Sequence, residues 1–185
     1  MQEKIREELG ESIKVKEKLS PEDIAAAADL ITEAFNSGGK ILLCGNGGSA
    51  ADCQHIAGEF IGRFKKERDA LPAISLSTDT SILTALANDY GGDIIFSRQV
   101  EALGREGDVL VAFSTSGTSP NIIKAAEAAR DRKMKVIGFT GANGEKLKKL
   151  SDVCIMAGSK DTPRIQEAHI TAAHIICGLV EANLF

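Results

Sequence analysis

Apolar positions recur along the chain with two different spacings, and the change comes near residue 40. Ahead of it lie two helical stretches. Over residues 2 to 18, Ile5, Leu9 and Ile13 follow an i, i+4 spacing; over 22 to 36, Ile24, Leu30, Ile31, Ala34 and Phe35 form a second stripe. Ser20 before Pro21 reads as an N-cap followed by a first helical position, and Gly38-Gly39 closes the second helix. The narrow apolar stripes of both helices suit packing across a sheet or oligomerisation.

From Lys40 the pattern becomes short apolar runs, each followed by glycine or hydroxyl residues and then by helical periodicity. The runs are KILLCG at 40 to 45, AISLS at 73 to 77, DVLVAFS at 108 to 114, KVIGFT at 135 to 140 and DVCIMAG at 152 to 158. They are nearly continuous rather than alternating, as strands covered on both faces require, and the helical segments between them supply crossovers. The predicted fold is α/β: a three-layer α/β/α sandwich around a five-stranded parallel sheet, with an N-terminal helical arm. The last helix, over about 163 to 183, carries Ile165, Ile170, Ile175, Ile176, Leu179 and Val180, and is apolar around much of its circumference near its end. Such a helix is expected to be buried, in part against another subunit. The whole chain, 1–185, reads as one domain, with helices at 1–37 and an α/β core at 38–185.

Composition narrows the functional classes. A length of 185 residues, 43% hydrophobic and 26% charged, can bury a sizeable core and argues against disorder or a long coiled coil. A net charge of -4 without a basic cluster, and only 4% aromatic residues, argue against nucleic acid as the partner. Cys44, Cys53, Cys154 and Cys177 form no CxxC pair and read as reduced core residues. With no signal-like apolar run and no membrane-length segment, a cytoplasmic location is expected.

In an open parallel sheet, ligands bind beyond the carboxyl ends of the strands, so the loops after the apolar runs are where chemistry is sought first. Two are unusual. Gly45-Asn46-Gly47-Gly48-Ser49 leads directly into a helix, and Ser114-Thr115-Ser116-Gly117-Thr118-Ser119 precedes Pro120-Asn121 at the start of another. Each exposes backbone N–H groups at a helix N-terminus, and the second adds hydroxyls, a combination that attracts an anion. Without a Walker lysine or an acid spaced for a dinucleotide ribose, a phosphorylated small molecule fits better than a nucleotide. On the helix after the first loop, His55 and Glu59 are i, i+4 and share a face. The chain's three histidines, His55, His169 and His174, all fall on that helix and on the last one. Cys53, flanked by Asp52 and Gln54, reads as packing rather than as a reactive thiol.

With both loops and the HxxxE helix in place, the chain resembles the sugar isomerase (SIS) fold, which is flavodoxin-like, and within it the bacterial phosphoheptose isomerases. The resemblance runs through GNGGSAADCQHIAGEFIGRF, LSTDTSILTALANDYG, FSRQVEALGREGDVLVAFSTSGTSPN and DTPRIQEAHITAAHIICGLVE, which cover most of residues 40 to 182. It implies aldose–ketose isomerisation of sedoheptulose 7-phosphate to D-glycero-D-manno-heptose 7-phosphate, toward the heptose of lipopolysaccharide and other surface polysaccharides. It places the phosphate on Ser114, Thr115, Ser116 and Ser119. Sugar and phosphate oxygens would be contacted by Asn46, Gly47, Gly48, Ser49, Asn88 and Asp89, with Glu59 and Gln166 also facing substrate. It further implies zinc on His55, Glu59, Gln166 and His174, and a homotetramer. The chain departs from the family pattern at Thr118, where many relatives carry Asn.

The implied chemistry suits these residues. Moving a carbonyl between adjacent carbons needs a base at carbon and a group that shuttles protons between oxygens. Glu59 is the expected base and His174 the expected acid or opposing base. Gln166 and His174 are eight residues apart, about 12 Å along a helix, a stretch for joint ligation of one ion. An active site near a subunit interface is therefore expected. The alternative is a noncatalytic SIS-fold tetramer that binds the replication initiator DnaA; a sugar-phosphate-sensing module is a third. The joint presence of His55, Glu59, Gln166 and His174 favours the enzyme, since a scaffold needs none of them.

Overall fold

The computed structural model describes residues 1–185. Its sheet has five parallel strands: β1 (Ile41–Cys44), β2 (Ala73–Ser75), β3 (Val109–Ser114), β4 (Lys135–Thr140) and β5 (Val153–Met156), in the order β2-β1-β3-β4-β5. Each predicted run contains one strand, and β4 coincides with its run. The others are one to three residues shorter than their runs, the ends turning out of the ladder. The helices are α1 (Gln2–Lys16), α2 (Pro21–Asn36), α3 (Gly48–Ile61), α4 (Thr80–Tyr90), α5 (Ser97–Leu103), α6 (Pro120–Asp131), α7 (Glu145–Lys148) and α8 (Thr162–Leu184).

The strands divide their side chains between two apolar layers, which is why their runs lack polar alternation. Ile41, Leu43, Val109, Val111, Phe113, Ile137 and Phe139 meet α2, α3 and α8 on one face. Leu42, Cys44, Leu110, Ala112 and Val136 meet α5, α6 and α7 on the other. The start of α2 forms as its sequence predicts: Ser20 Oγ accepts from the Asp23 amide at 3.0 Å, with Pro21 in the first turn. Cys44, Cys53 and Cys177 are buried, and Cys154 is half-buried. Burial pushes the Cys53 thiol well above its ordinary value, so it is packing and not a nucleophile.

The Ile5, Leu9 and Ile13 stripe of the arm stays largely in solvent: these residues are 53%, 60% and 56% exposed, Ile5 and Leu9 border a cavity with Arg164 and Glu167 of α8, and α1 buries Ser12 and Val15. On α8, Ile165, Ile176 and Val180 are buried, whereas Ile175 and Leu179, one turn apart, are exposed. No helix is long and apolar enough to cross a membrane.

Strand order fixes where a ligand can enter. From β1 the chain moves outward to β2, and from there it crosses to β3 on the other side of β1. The winding reverses between β1 and β3, which opens a crevice at their carboxyl ends. The glycine loop follows β1 and the hydroxyl loop follows β3, so both unusual loops border that crevice.

Candidate active site

The glycine loop is shaped by close approach. A Cβ at Gly45 would lie 2.7 Å from the Ser49 carbonyl oxygen, and one at Gly48 would lie 2.5 Å from Nε2 of Gln166. Gly47 has φ of 56° and serves as N-cap of α3 without a capping side chain. Gln166, from the start of α8, thus lies directly over the first turn of α3. Ser49 is buried.

The hydroxyl loop is held by its own side chains. Ser114 Oγ, buried at the end of β3, accepts from the Gly117 amide at 3.1 Å and lies 3.0 Å from Ser119 Oγ. Ser116 Oγ accepts from the amide and the hydroxyl of Thr118 at 3.2 and 3.1 Å. Gly117, with φ of 66°, packs its Cα side against Gly144 and Thr140. Ser119 is the N-cap of α6 but makes no capping bond with its side chain. Thr115, Ser116 and Thr118 face a cavity of about 310 Å³, which also reaches Thr162 and Ile165 at the start of α8.

The two loops are tied together. Asn46 and Asn121 exchange a reciprocal pair of amide hydrogen bonds, 3.0 and 2.9 Å. Sequence reasoning marked Asn121 only as a helix start; its partnership depends on the adjacency of β1 and β3.

Two turns further along α3, His55 Nε2 lies 3.0 Å from Glu59 Oε1 and 3.1 Å from Nε2 of His174 on α8. The ligand atoms of these three residues all lie within 4.8 Å of one another, a grouping that could hold a metal ion. Two imidazole nitrogens at 3.1 Å cannot both present lone pairs without repulsion, so either one carries the proton or a cation stands between them. Two imidazoles and a carboxylate suit a divalent first-row ion. Phe64 stacks on His174 at 5.7 Å between centroids.

The other predicted residues are placed less centrally. Gln166 sits over Gly48, two turns before His55 on α3. Asn88 and Asp89 occupy the last turn of α4, where Asn88 Nδ2 donates to Asp89 Oδ1 at 2.8 Å. They are exposed and contact neither loop through a side-chain hydrogen bond. His169 is buried, with Nε2 3.1 Å from the Thr140 carbonyl oxygen and Nδ1 unpartnered, and burial lowers its pKa to about 4. Asp52, one turn before His55, has a half-buried carboxyl whose Oδ2 lacks a partner; burial raises its pKa against the opposing charge of His55.

Comparison with known proteins identifies the family and the fold. Residues 6–141 match the model of the SIS domain. A phosphoheptose isomerase of Roseiflexus sp. is 57% identical over 162 residues, 88% of this chain and 82% of the relative. That of Thermodesulfovibrio yellowstonii is 52% identical over 188 aligned positions, 100% of this chain and 94% of the relative. The solved structure of a phosphoheptose isomerase from Neisseria gonorrhoeae superposes with a TM-score of 0.92 at 46% identity, covering 98% of each chain. One from Francisella tularensis gives 0.93 at 37% identity with the same coverage. Identity of this extent over most of the chain, with the fold shared along nearly its whole length, places the chain in the phosphoheptose isomerase family of SIS domains.

Proposed function

We propose that the protein interconverts sedoheptulose 7-phosphate and D-glycero-D-manno-heptose 7-phosphate through an enediolate. The observation that carries this reading is the convergence of Glu59, His55 and His174 from two helices whose first turns border the two anion-cradling loops. Glu59 removes a proton from C1 of the open-chain ketose and returns it to C2. His174 passes a proton between O1 and O2 as the carbonyl moves to C1. Ser114, Thr115, Ser116 and Ser119 hold the phosphate. Asn46, Gly47, Gly48, Ser49 and Gln166, with Asn88 and Asp89, contact the remaining oxygens.

The same reading assigns zinc to His55, Glu59, Gln166 and His174, three of which have ligand atoms within 4.8 Å of one another. Bound there, the ion supplies orientation of the imidazoles and polarisation of a carbonyl. Glu59 works as a base only while its carboxylate is not fully engaged, so the ion's role is to modulate the site. The exposed stripe of α1 and the exposed pair Ile175 and Leu179 support a homo-oligomer, a tetramer, with active sites near subunit interfaces. Packing of α1 and α2 on α8 supports one domain over the full length. The product would enter cytoplasmic heptose synthesis for lipopolysaccharide or another surface polysaccharide. No observation favours the noncatalytic reading.

The test is incubation of the purified protein with sedoheptulose 7-phosphate in deuterated water. Heptose 7-phosphate carrying solvent deuterium at C2 is expected, and its absence would defeat the reading. Glu59→Gln is expected to lower turnover by about 10²–10⁴-fold; normal turnover would remove Glu59 from the role of base.

A further inference from the structure

The residues assigned to the phosphate are neutral: the hydroxyl loop offers Oγ atoms and backbone amides but no cation. The cavity in front of it has a second wall, formed by the turns after β4 and β5. Asn143 stands on the first of these turns and Lys160 on the second, and Lys160 is the sole charged residue among those lining the cavity. Its turn is fixed to the neighbouring one. The Ala142 amide donates to the Ser159 carbonyl at 2.9 Å, and the Asp161 amide donates to Ser159 Oγ at 3.1 Å. Lys40, Lys124, Lys133 and Lys135 are ion-paired, and Lys160 is not among them. Beside it begins α8, a helix of 23 residues whose N-cap, Asp161, makes no side-chain capping bond, so the positive end of its dipole opens on the same cavity.

A phosphate monoester carries close to two negative charges at neutral pH, and neutral donors alone leave much of that charge uncompensated. A lysine supplies a mobile point charge on a flexible stem and binds phosphate without needing a fixed fork geometry. We propose that Lys160 is a specificity-determining residue, its ammonium group meeting the phosphate of the substrate across the 310 Å³ cavity from the hydroxyl loop. This deepens the isomerase reading and rests on its placement of the phosphate. The charge raises affinity for the dianionic ester relative to neutral sugars of the same length. Its contribution is sensitive to salt because the group is exposed.

The proposal is tested in two independent ways on the full chain. Calorimetric titration with inorganic phosphate needs no turnover: Lys160→Gln is expected to weaken phosphate binding by about three- to tenfold, with Lys160→Arg restoring most of it. Arg132→Gln, which makes the same change in net charge at the opposite end of α6, is the control. In steady-state kinetics with sedoheptulose 7-phosphate, Lys160→Gln is expected to raise KM by a similar factor, to change kcat far less, and to flatten the dependence of kcat/KM on ionic strength. Phosphate binding and KM that match wild type in Lys160→Gln, or that change equally in Arg132→Gln, overturn the proposal, as does a wild-type protein that binds no phosphate. A wild-type protein that binds phosphate through Lys160 but does not isomerise the sugar would sink the isomerase reading and leave this one standing.

Discussion

Phe64 lies against the imidazole of His174, ring centroids 5.7 Å apart and planes inclined by 24°. The loop that carries it is held from below by one carboxylate. Glu181 accepts from the amides of Phe64, Lys65 and Lys66 at 3.1, 2.9 and 2.8 Å and pairs with Arg68 at 3.3 Å. Burial opposes ionisation of Glu181, but these amides and the Arg68 guanidinium outweigh it and hold the carboxyl below its ordinary range. Glu181→Gln is expected to cost about 2 kcal/mol in urea denaturation. Phe64→Ala, which leaves the loop anchored, is expected to lower kcat several-fold with little change in KM. An unaltered kcat would show that the ring does not position His174.

The Asn46–Asn121 pair joins the glycine loop to the start of α6. A double-mutant cycle with Asn46→Ala and Asn121→Ala is expected to give a coupling of about 0.5–1 kcal/mol in kcat/KM. Additive effects would mean that the two amides act separately.

Gly48 and Gln166 compete for one space. Gly48→Ala puts a methyl group 2.5 Å from Gln166 Nε2 and should displace that side chain, lowering kcat/KM by tenfold or more. In a Gln166→Ala background the same substitution has room, so it should add little further loss. A full additional loss there would place the constraint on the backbone instead.

The metal grouping makes a prediction separable from catalysis. Zinc at a hundredfold excess over its dissociation constant should stabilise the fold by about 2.7 kcal/mol, seen as a rise in Tm. His55→Gln or His174→Gln should abolish that rise. An undiminished rise in both variants would locate the metal elsewhere.

His169 sets a pH dependence of stability. Burial holds its folded pKa at about 4, below the ordinary 6.5, against a smaller upward pull from the Thr140 carbonyl. Above pH 6.5 the ring is neutral in both states and adds no slope. Between 6.5 and about 4 only the unfolded chain takes up the proton, so stability falls as the pH falls, by up to about 3 kcal/mol. Glu181, lowered likewise from an ordinary 4.5, keeps its full contribution above that value and loses it as the pH falls further. His169→Gln retains a donor for Thr140 but does not titrate, and its denaturation midpoint should stay flatter over the same window. Equal slopes in the two proteins would contradict this account.

The linear sequence determined the layers and the two loops. Continuous apolar runs such as Val109–Ser114 cannot be half-solvated, and the small-residue turns at 45 to 49 and 114 to 119 could only lie between a strand and a helix. It also put His55 and Glu59 on one face, because i, i+4 spacing is local geometry. What joins across the crevice was settled by the tertiary structure. Asn121 faces Asn46, Gln166 fills the space over Gly48, Lys160 closes the cavity opposite the hydroxyl loop, and His174 reaches His55 across 119 positions of sequence. The α1 stripe marks the same boundary: periodicity identified its apolar side, but only the tertiary structure left Ile5, Leu9 and Ile13 exposed and buried Val15. Periodicity reports contacts within a turn or a strand, whereas these pairings depend on strand order and helix crossing, which no local spacing encodes.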